Sequence, residues 1–324
     1  MYLGSIIIVS YYSADCIQSC LGAVAGSSRW KIIVVDNASA DESVVKARAT
    51  ISDVLILANS ENKGFAGAIN QAANFAEGEA LVILNPDAVA TPGALNELVN
   101  ALNVEKVAAV GGMLTDHEGK PEQGFTIRRF PTLGSAMSEV LLLNRIWPSN
   151  PWNRSYRCLD LDYSRGQEVE QPAGACLAVK RNAFDELNGF DANFYPVWFE
   201  DVDFCRRLRY RNWKILYCPK AVFTHAGGHS VGKLQFRDRQ GYWYGNLLRY
   251  FAKHHSRGEV VCLRLGIFAG LVLRSLLSLC GAGPNGVSTR EALQGYCHAL
   301  WEYAVVGKSL RLKNEAGALP APIT

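Results

Sequence analysis

Residues 81–93 read LVILNPDAVATPG. The apolar opening, rich in β-branched residues, has the signature of a buried strand; it stops at Asn85, Pro86 and Asp87, and Thr91-Pro92-Gly93 follows as a helix opener. Asn-Pro and Asp are ordinary turn starters, so Asp87 is either turn chemistry or a ligand at a strand end. The surrounding sequence has to decide between the two.

Working outward, runs of the same kind recur as SIIIVSYY (5–12), KIIVVDN (31–37), VLILANSE (54–61) and VAAVGGML (107–114), separated by helical patterns. Strands alternating with helices predict a mostly parallel, doubly wound α/β sheet with helices on both faces. Such sheets bind ligands in the crevice beyond the carboxyl ends of their strands. The polar residues just after each run are therefore the site candidates: Ser10, Tyr11 and Tyr12; Asp36 and Asn37; Glu61, Asn62 and Lys63; Asn85 and Asp87. Helix N-caps favour the same residue types and explain part of this pattern. They explain less of NKGFAGAINQAAN (62–74), where Gly64, Ala66, Gly67 and Ala68 open a helix with Asn70 one turn inside. Small residues there let backbone approach a ligand, and free N–H groups suit a phosphate or a polar rim. The spacing is not Gly-x-Gly-x-x-Gly, so dinucleotide binding is unsupported.

Composition narrows the class. With 49% hydrophobic and 19% charged residues, the 324-residue chain can bury a large core. A net charge of +3 gives nucleic-acid binding no support. Nine cysteines without a Cys-x-x-Cys pair fit a reducing compartment, with Cys16 and Cys20 as core residues. The opening MYLGSIIIVSYY lacks the basic flank and cleavage site of a signal peptide and reads as a first strand.

Beyond about residue 117 the alternation breaks. LGSAMSEVLLLNRIW, set among Pro121, Pro131, Pro148 and Pro151, predicts an amphipathic helix in a lid or acceptor-side insertion. Regular pattern returns with PAGACLAVKRNAFDELNGF (172–190), a strand and a short helix. The densest polar segment, residues 194–230, follows. There Glu200, Asp201 and Asp203 stand beside Trp198 and Phe199 at a helix start, with Arg206, Arg207, Arg209 and Arg211 later, as a helix dipole favours. Clustered carboxylates beside large aromatics also have the chemistry of a tuned base.

The segments VSYYSADCIQSCL, IIVVDNASAD, ENKGFAGAINQA, LVILNPDA, PAGACLAVKRNAF and FEDVDFCRRL stand in this order between about residues 4 and 235. In that order the chain resembles inverting, GT-A-fold glycosyltransferases of family 2, and most of all their bacterial rhamnosyltransferase-type branch, which builds cell-envelope polysaccharides. The resemblance implies that Asp36 bonds the donor's nucleotide base, with Ser10, Tyr11 and Asn37 lining that pocket. Asn62, Lys63, Gly64 and Asn70 would flank the nucleotide diphosphate. Asp87 matches the last aspartate of the family's Asp-x-Asp element, which binds Mg²⁺ or Mn²⁺. Asn85 replaces the first, leaving one charged ligand. His225 resembles the histidine that completes the metal site in some relatives, and His229, in AGGHS, competes with it. Asp201 would be the catalytic base, with Glu200 orienting acceptor or base and Asp203 anchoring the helix. Gly174 and Ala175 would place backbone beside the reacting sugars, with Trp198 on the acceptor side.

The implied reaction moves a sugar, best guessed as L-rhamnose from dTDP-rhamnose, to a hydroxyl of a polyprenyl-diphosphate-linked saccharide. The implied setting is cytoplasmic, at the inner face of the plasma membrane; oligomeric state is open. The implied division is a glycosyltransferase domain over 1–235 (donor half 1–116, acceptor and catalytic half 117–235), a helical extension over 236–312 and a disordered tail over 313–324. A nucleotidyltransferase is the main alternative, but it would announce a Gly-rich basic loop after the first strand, which SYYSAD is not. A noncatalytic nucleotide-sugar-binding protein is another, and would need no carboxylate base. Residues 260–279 are strongly apolar, yet Arg264 and Arg274 interrupt them, each costing roughly 2.5–3.5 kcal/mol at a bilayer centre. The expectation is an interfacial helix whose arginines snorkel to headgroups, or a core or oligomer-interface helix.

Overall fold

The strand run that stops at Asn85 lies at the centre of a nine-stranded sheet. The computed structural model describes residues 2–227 and 232–306. The first half of the chain forms β1 (Gly4–Ser10), α1 (Ile17–Val24), β2 (Trp30–Asp36), α2 (Ser43–Thr50), β3 (Leu55–Ala58), α3 (Gly64–Ala73), β4 (Ala80–Leu84), β5 (Ala88–Ala90), α4 (Ala94–Leu102) and β6 (Val107–Thr115). An irregular region carries β7 (Ile127–Arg128), α5 (Leu133–Val140), α6 (Leu143–Ile146), α7 (Pro151–Tyr156), β8 (Gln167–Glu168) and β9 (Gln171–Pro172). Then come β10 (Cys176–Lys180), α8 (Arg181–Glu186), α9 (Glu200–Tyr210) and β11 (Lys214–His225). The chain closes with α10 (Phe236–His254), α11 (Arg257–Leu279), α12 (Thr289–Ala299) and a π-helical segment (Leu300–Val305).

The sheet order is β3-β2-β1-β4-β10-β6-β11-β5, with β8 alongside β11. The first four runs pair in parallel, as their alternation with helices predicts. β1 and β4 are buried along their whole lengths, which is why they read as unbroken apolar runs. The fifth run, β6, does not pair with β4. Instead β10 lies between them, antiparallel to both. The AVA of the opening stretch is a strand of its own, antiparallel to the end of β11 with Ala88 opposite His225.

The amphipathic helix expected in LGSAMSEVLLLNRIW breaks at Leu142, whose φ of 62° divides it into α5 and α6. Nor is it a free lid. α5 packs on α11, where Gly266 and Gly270 leave room for Met137 and for the carbonyl of Val140. A third hydrophobic cluster joins Val140 to Phe194, Phe199 and Val202, and all of them to Tyr250, Phe251, Leu263 and Ile267 from the C-terminal helices.

α11 is long and apolar enough, by length and composition, to cross a membrane, an 18-residue stretch of it having a mean hydropathy of 2.0. Its arginines correct the snorkelling expectation: Arg264 donates to the carbonyl of Ala304, and Arg274 to those of Glu139 and Val140. Both charges thus serve carbonyls at the ends of neighbouring helices. From Val261 onward the helix residues most open to solvent are apolar, including Val261, Leu265, Phe268, Val272, Leu276 and Leu279. The expected tail over 313–324 lies outside the described residues.

Candidate active site

A cavity of about 360 Å³ opens where β1, β2 and β4 end. Tyr11, Asn37, Asn62, Asn85 and Asp87 line one side of it, and Gly174, Ala175, Trp198, Glu200 and Asp201 the other, with His225 between. The two sides meet because β10 runs antiparallel to β4. The start of one strand therefore adjoins the end of the other, and the backbone N–H of Asn85 donates to the carbonyl of Ala175 at 2.9 Å. A second cavity, of about 280 Å³, is lined by Ala23, Arg29 and Asn96 with Thr91, Pro92 and Gly93, and by none of the candidate catalytic, donor or metal residues.

Several candidates from the sequence shape the cavity from behind. Asp36 is buried, and its two carboxylate oxygens accept from the backbone N–H and hydroxyl of Ser39, at 2.9 and 2.6 Å. Ser10 is buried with no hydrogen-bond partner for its hydroxyl among the described residues. Asn37 donates to the carbonyl of Gly64 at 3.2 Å and accepts from Asn59 at 3.1 Å, so it ties the ends of β2 and β3 to α3. Asn70 holds the backbone of Phe190 through both ends of its amide, at 2.7 and 2.9 Å, and stands away from the cavity. Lys63 is exposed and does not line the cavity.

The start of α3 corrects the expectation of an open phosphate cradle. The N–H of Gly64 donates to the side chain of Asn62 at 2.8 Å, and that of Phe65 to the carbonyl of Pro196 at 2.8 Å. At φ 73°, Gly64 lies where an added Cβ would stand 2.9 Å from Tyr195 and 3.0 Å from the Pro196 carbonyl. The glycine thus admits another loop of the protein, not a ligand.

On the opposite side, Trp198 and Phe199 both take left-handed backbone conformations, with φ 79° and 72°, just before α9. Such strain concentrates where surrounding structure must aim a side chain. Here it turns Glu200 and Asp201 to the cavity. Asp201 accepts from the N–H of Gly174 at 2.9 Å, from Gln171 at 3.1 Å and from the N–H of Val202 at 2.8 Å. Burial raises its carboxyl above the usual range, against the pull of those N–H bonds. Glu200 is pushed well above that range by burial and then by the charge of Asp201, and its Oε2 has no hydrogen-bond partner among the described residues.

Asp203 points the other way, into the core. It meets Arg207 at 2.7 Å, Lys253 at 2.8 Å and His254 at 2.7 Å. Burial alone would raise its carboxyl, but the hydrogen bond from His254 and the charges of Arg207 and Lys253 hold it far below the usual range. The cluster bolts α9 to α10.

At the end of β11, His225 is buried with its Nε2 3.5 Å from Asp87 Oδ1. That nitrogen makes no hydrogen bond among the described residues. An orphaned imidazole nitrogen beside a carboxylate is a donor set that fits a divalent cation. His229, the competing candidate, lies outside the described residues.

A family model for glycosyl transferase family 2 matches residues 5–187. The chain belongs to glycosyl transferase family 2. This glycosyltransferase is 29% identical over 258 residues to the N-acetylglucosaminyl-diphospho-decaprenol L-rhamnosyltransferase of Mycobacterium tuberculosis, covering 76% of this chain and 82% of that one. It is 25% identical over 233 residues to the rhamnosyltransferase WbbL of Escherichia coli, covering 69% and 83%. Among solved structures it resembles the mannosyltransferase PcManGT of Pyrobaculum calidifontis in complex with GDP-Man and Mn²⁺. The TM-score is 0.54 at 18% identity, over 92% of this chain and 80% of that one. That likeness establishes the GT-A fold.

The cavity of the glycosyltransferase also contains residues that the sequence reading did not single out. Arg128 lies in its wall, its guanidinium 5.4 Å from the centre of the Phe125 ring and 5.8 Å from that of Tyr156. Gln171 reaches Asp201, and Trp243 comes from α10. None sits in a periodic element next to a strand end, so only the three-dimensional pairing of β7 with β9 and the docking of α10 reveal them.

Proposed function

We propose that the protein is an inverting, divalent-metal-dependent glycosyltransferase that moves L-rhamnose from a dTDP-linked donor to a hydroxyl of a polyprenyl-diphosphate-linked saccharide. The observation that carries the reading is the single cavity lined by Asp87, His225 and Asp201. In this reading residues 1–116 contribute most of the donor side, through Tyr11, Asn37, Asn62 and Asn85, with Ser10, Asp36, Lys63, Gly64 and Asn70 supporting them. Residues 117–235 contribute the acceptor side.

Asp201, its oxygens fixed by Gly174 and Val202, takes the proton of the acceptor hydroxyl as that oxygen attacks the anomeric carbon. Attack comes from the face opposite the departing nucleoside diphosphate, so one displacement inverts the configuration and forms no enzyme-bound sugar. Glu200, whose burial favours its protonated form, orients acceptor or base. Among the described residues no cluster of three or more His, Cys, Asp or Glu side chains could hold a metal ion. Asp87 and His225 would hold Mg²⁺ or Mn²⁺ together with diphosphate oxygens of the donor. When bound, the cation supplies Lewis-acid stabilisation of the charge on the leaving diphosphate.

The apolar outer face of α11 from Val261 to Leu279 supports a membrane surface as the place where a lipid-linked acceptor is met. Flotation of the full chain with vesicles should be lost in a Leu265→Asp, Phe268→Asp variant; equal flotation removes α11 as the contact.

The central test is calorimetry with UDP-, GDP- and dTDP-sugars, with and without Mn²⁺, on wild type and Asp87→Ala. One nucleotide class should bind in a metal-dependent way that the variant loses. Binding of none of them, under either condition, overturns the donor assignment.

A further inference from the structure

The geometry around His225 points to a positioning residue that no motif contains. We propose that Glu122 fixes the tautomer and the plane of His225, so that Nε2 presents a bare lone pair towards Asp87 as a metal ligand. The inference rests on the reading of His225 as a ligand and goes beyond it by assigning the group that makes it one.

Glu122 reaches this position through a short hairpin. β6 ends at Thr115, the chain turns through Asp116–Lys120, and Pro121 bridges back to Thr115. The N–H of Glu122 then donates to the carbonyl of Leu114 at 2.9 Å, and its own carbonyl accepts from the N–H of Thr126 at 3.0 Å. Because β6 runs parallel to β11, with Thr115 opposite Thr224, the residue leaving this hairpin stands beside His225.

The side chains meet at 3.0 Å, Glu122 Oε2 to His225 Nδ1. A carboxylate only accepts, so Nδ1 must carry the proton. In the neutral ring this leaves Nε2 unprotonated, facing Asp87 Oδ1 at 3.5 Å with both atoms electron-rich. A cation between the two atoms would offset that arrangement. Phe125 stacks on the imidazole, with centroids 5.2 Å apart and planes within 9°, and holds the ring in the orientation that Glu122 sets. A carboxylate bonded to the far nitrogen is the recurrent means by which a ligating histidine is oriented and made more basic.

The test uses the full chain. Mn²⁺ alone is titrated while water-proton relaxation is followed, for wild type, His225→Ala, Glu122→Ala and Glu122→Gln. Glu122→Ala should weaken Mn²⁺ binding by about 10–100-fold. Glu122→Gln, whose amide oxygen can still accept the Nδ1 proton, should lose less. His225→Ala should lose at least as much as Glu122→Ala. If His225→Ala weakens binding and Glu122→Ala does not, the role of Glu122 is overturned and the metal reading stands. If His225→Ala changes nothing, the ligand reading fails and this inference fails with it. Nitrogen-15 spectra of metal-free wild type need no variant: a proton on Nδ1 alone is expected, and a proton on Nε2 overturns the proposal.

Discussion

The backbone N–H of Gly174 donates to Oδ2 of Asp201 at 2.9 Å, while the N–H of Val202 holds Oδ1 at 2.8 Å. Both oxygens of the proposed base are thus fixed by main chain. Asp201→Asn must turn its amide NH₂ against one of those N–H groups, losing about 1 kcal/mol of stability along with the base. Turnover should fall by about 10²–10⁴-fold with donor affinity nearly unchanged. Steady-state kinetics beside calorimetry check this; near-normal turnover would place the base elsewhere.

The carboxyl of Asp201 is raised by burial, so the acid limb of kcat/KM should lie above its ordinary pKa of 3.8, with activity growing as pH rises through the raised value. Measured between about pH 4 and pH 9, a limb at the ordinary carboxylate pKa would contradict this placement.

Glu200 couples pH to stability. Its folded-state pKa is raised, so the native protein binds the proton more tightly than the unfolded chain. Stability contributed by the protonated form is then lost as pH rises through the window from its ordinary value to its raised one. Glu200→Gln resembles the protonated acid and should flatten that decline in urea unfolding from about pH 5 to about pH 8. An unchanged slope would show that Glu200 is not the group responsible.

Asp203 has the reverse sign. Held far below the usual range, it stabilises the fold above its unfolded pKa, and this contribution disappears as pH falls towards its folded value. Asp203→Asn leaves Arg207 and His254 without their anion and Lys253 with Asp191 alone. Removing one member of such a buried set costs about 3–5 kcal/mol. A drop in melting temperature at neutral pH, with a shallower loss towards acid, is expected.

Gly270 separates packing from helix propensity. Alanine in a helix gains about 1 kcal/mol over glycine, but a Cβ at Gly270 would stand 2.0 Å from the carbonyl oxygen of Val140. Backbone there cannot swing aside, and overpacking of this kind costs about 1–3 kcal/mol. Gly270→Ala should therefore destabilise, while Gly22→Ala in α1, with open space around its Cβ, should stabilise. Equal shifts in denaturant midpoint would refute the packing argument.

The sequence carried the parallel half of the sheet because β1, β2 and β4 are buried on both faces and announce themselves as apolar runs ending in polar residues. It did not reveal that β10 enters between β4 and β6, since periodicity says nothing about pairing partners. Asp203 as an anchor followed from its place beyond the Glu200-Asp201 pair. Glu122 and Arg128 did not stand out, because their neighbours are distant in sequence and their own segment has no period. The small residues opening α3 were legible as a need for close approach, but what approaches is the Tyr195–Pro196 loop.

The position of β10 has a consequence for how this architecture can be recombined. β6 has only later partners, β10 and β11, and β4 has β10 as its second neighbour. A chain divided after residue 116 would leave β5 and β6 without their sheet partners and β4 with a bare edge. Exchange of acceptor preference between relatives by joining a front piece to a foreign back piece must therefore graft a strand into the middle of the host sheet. Point changes around Arg128, Trp198 and Trp243, which line the cavity, leave that sheet intact and, on the proposed reading, are the simpler route to a new acceptor.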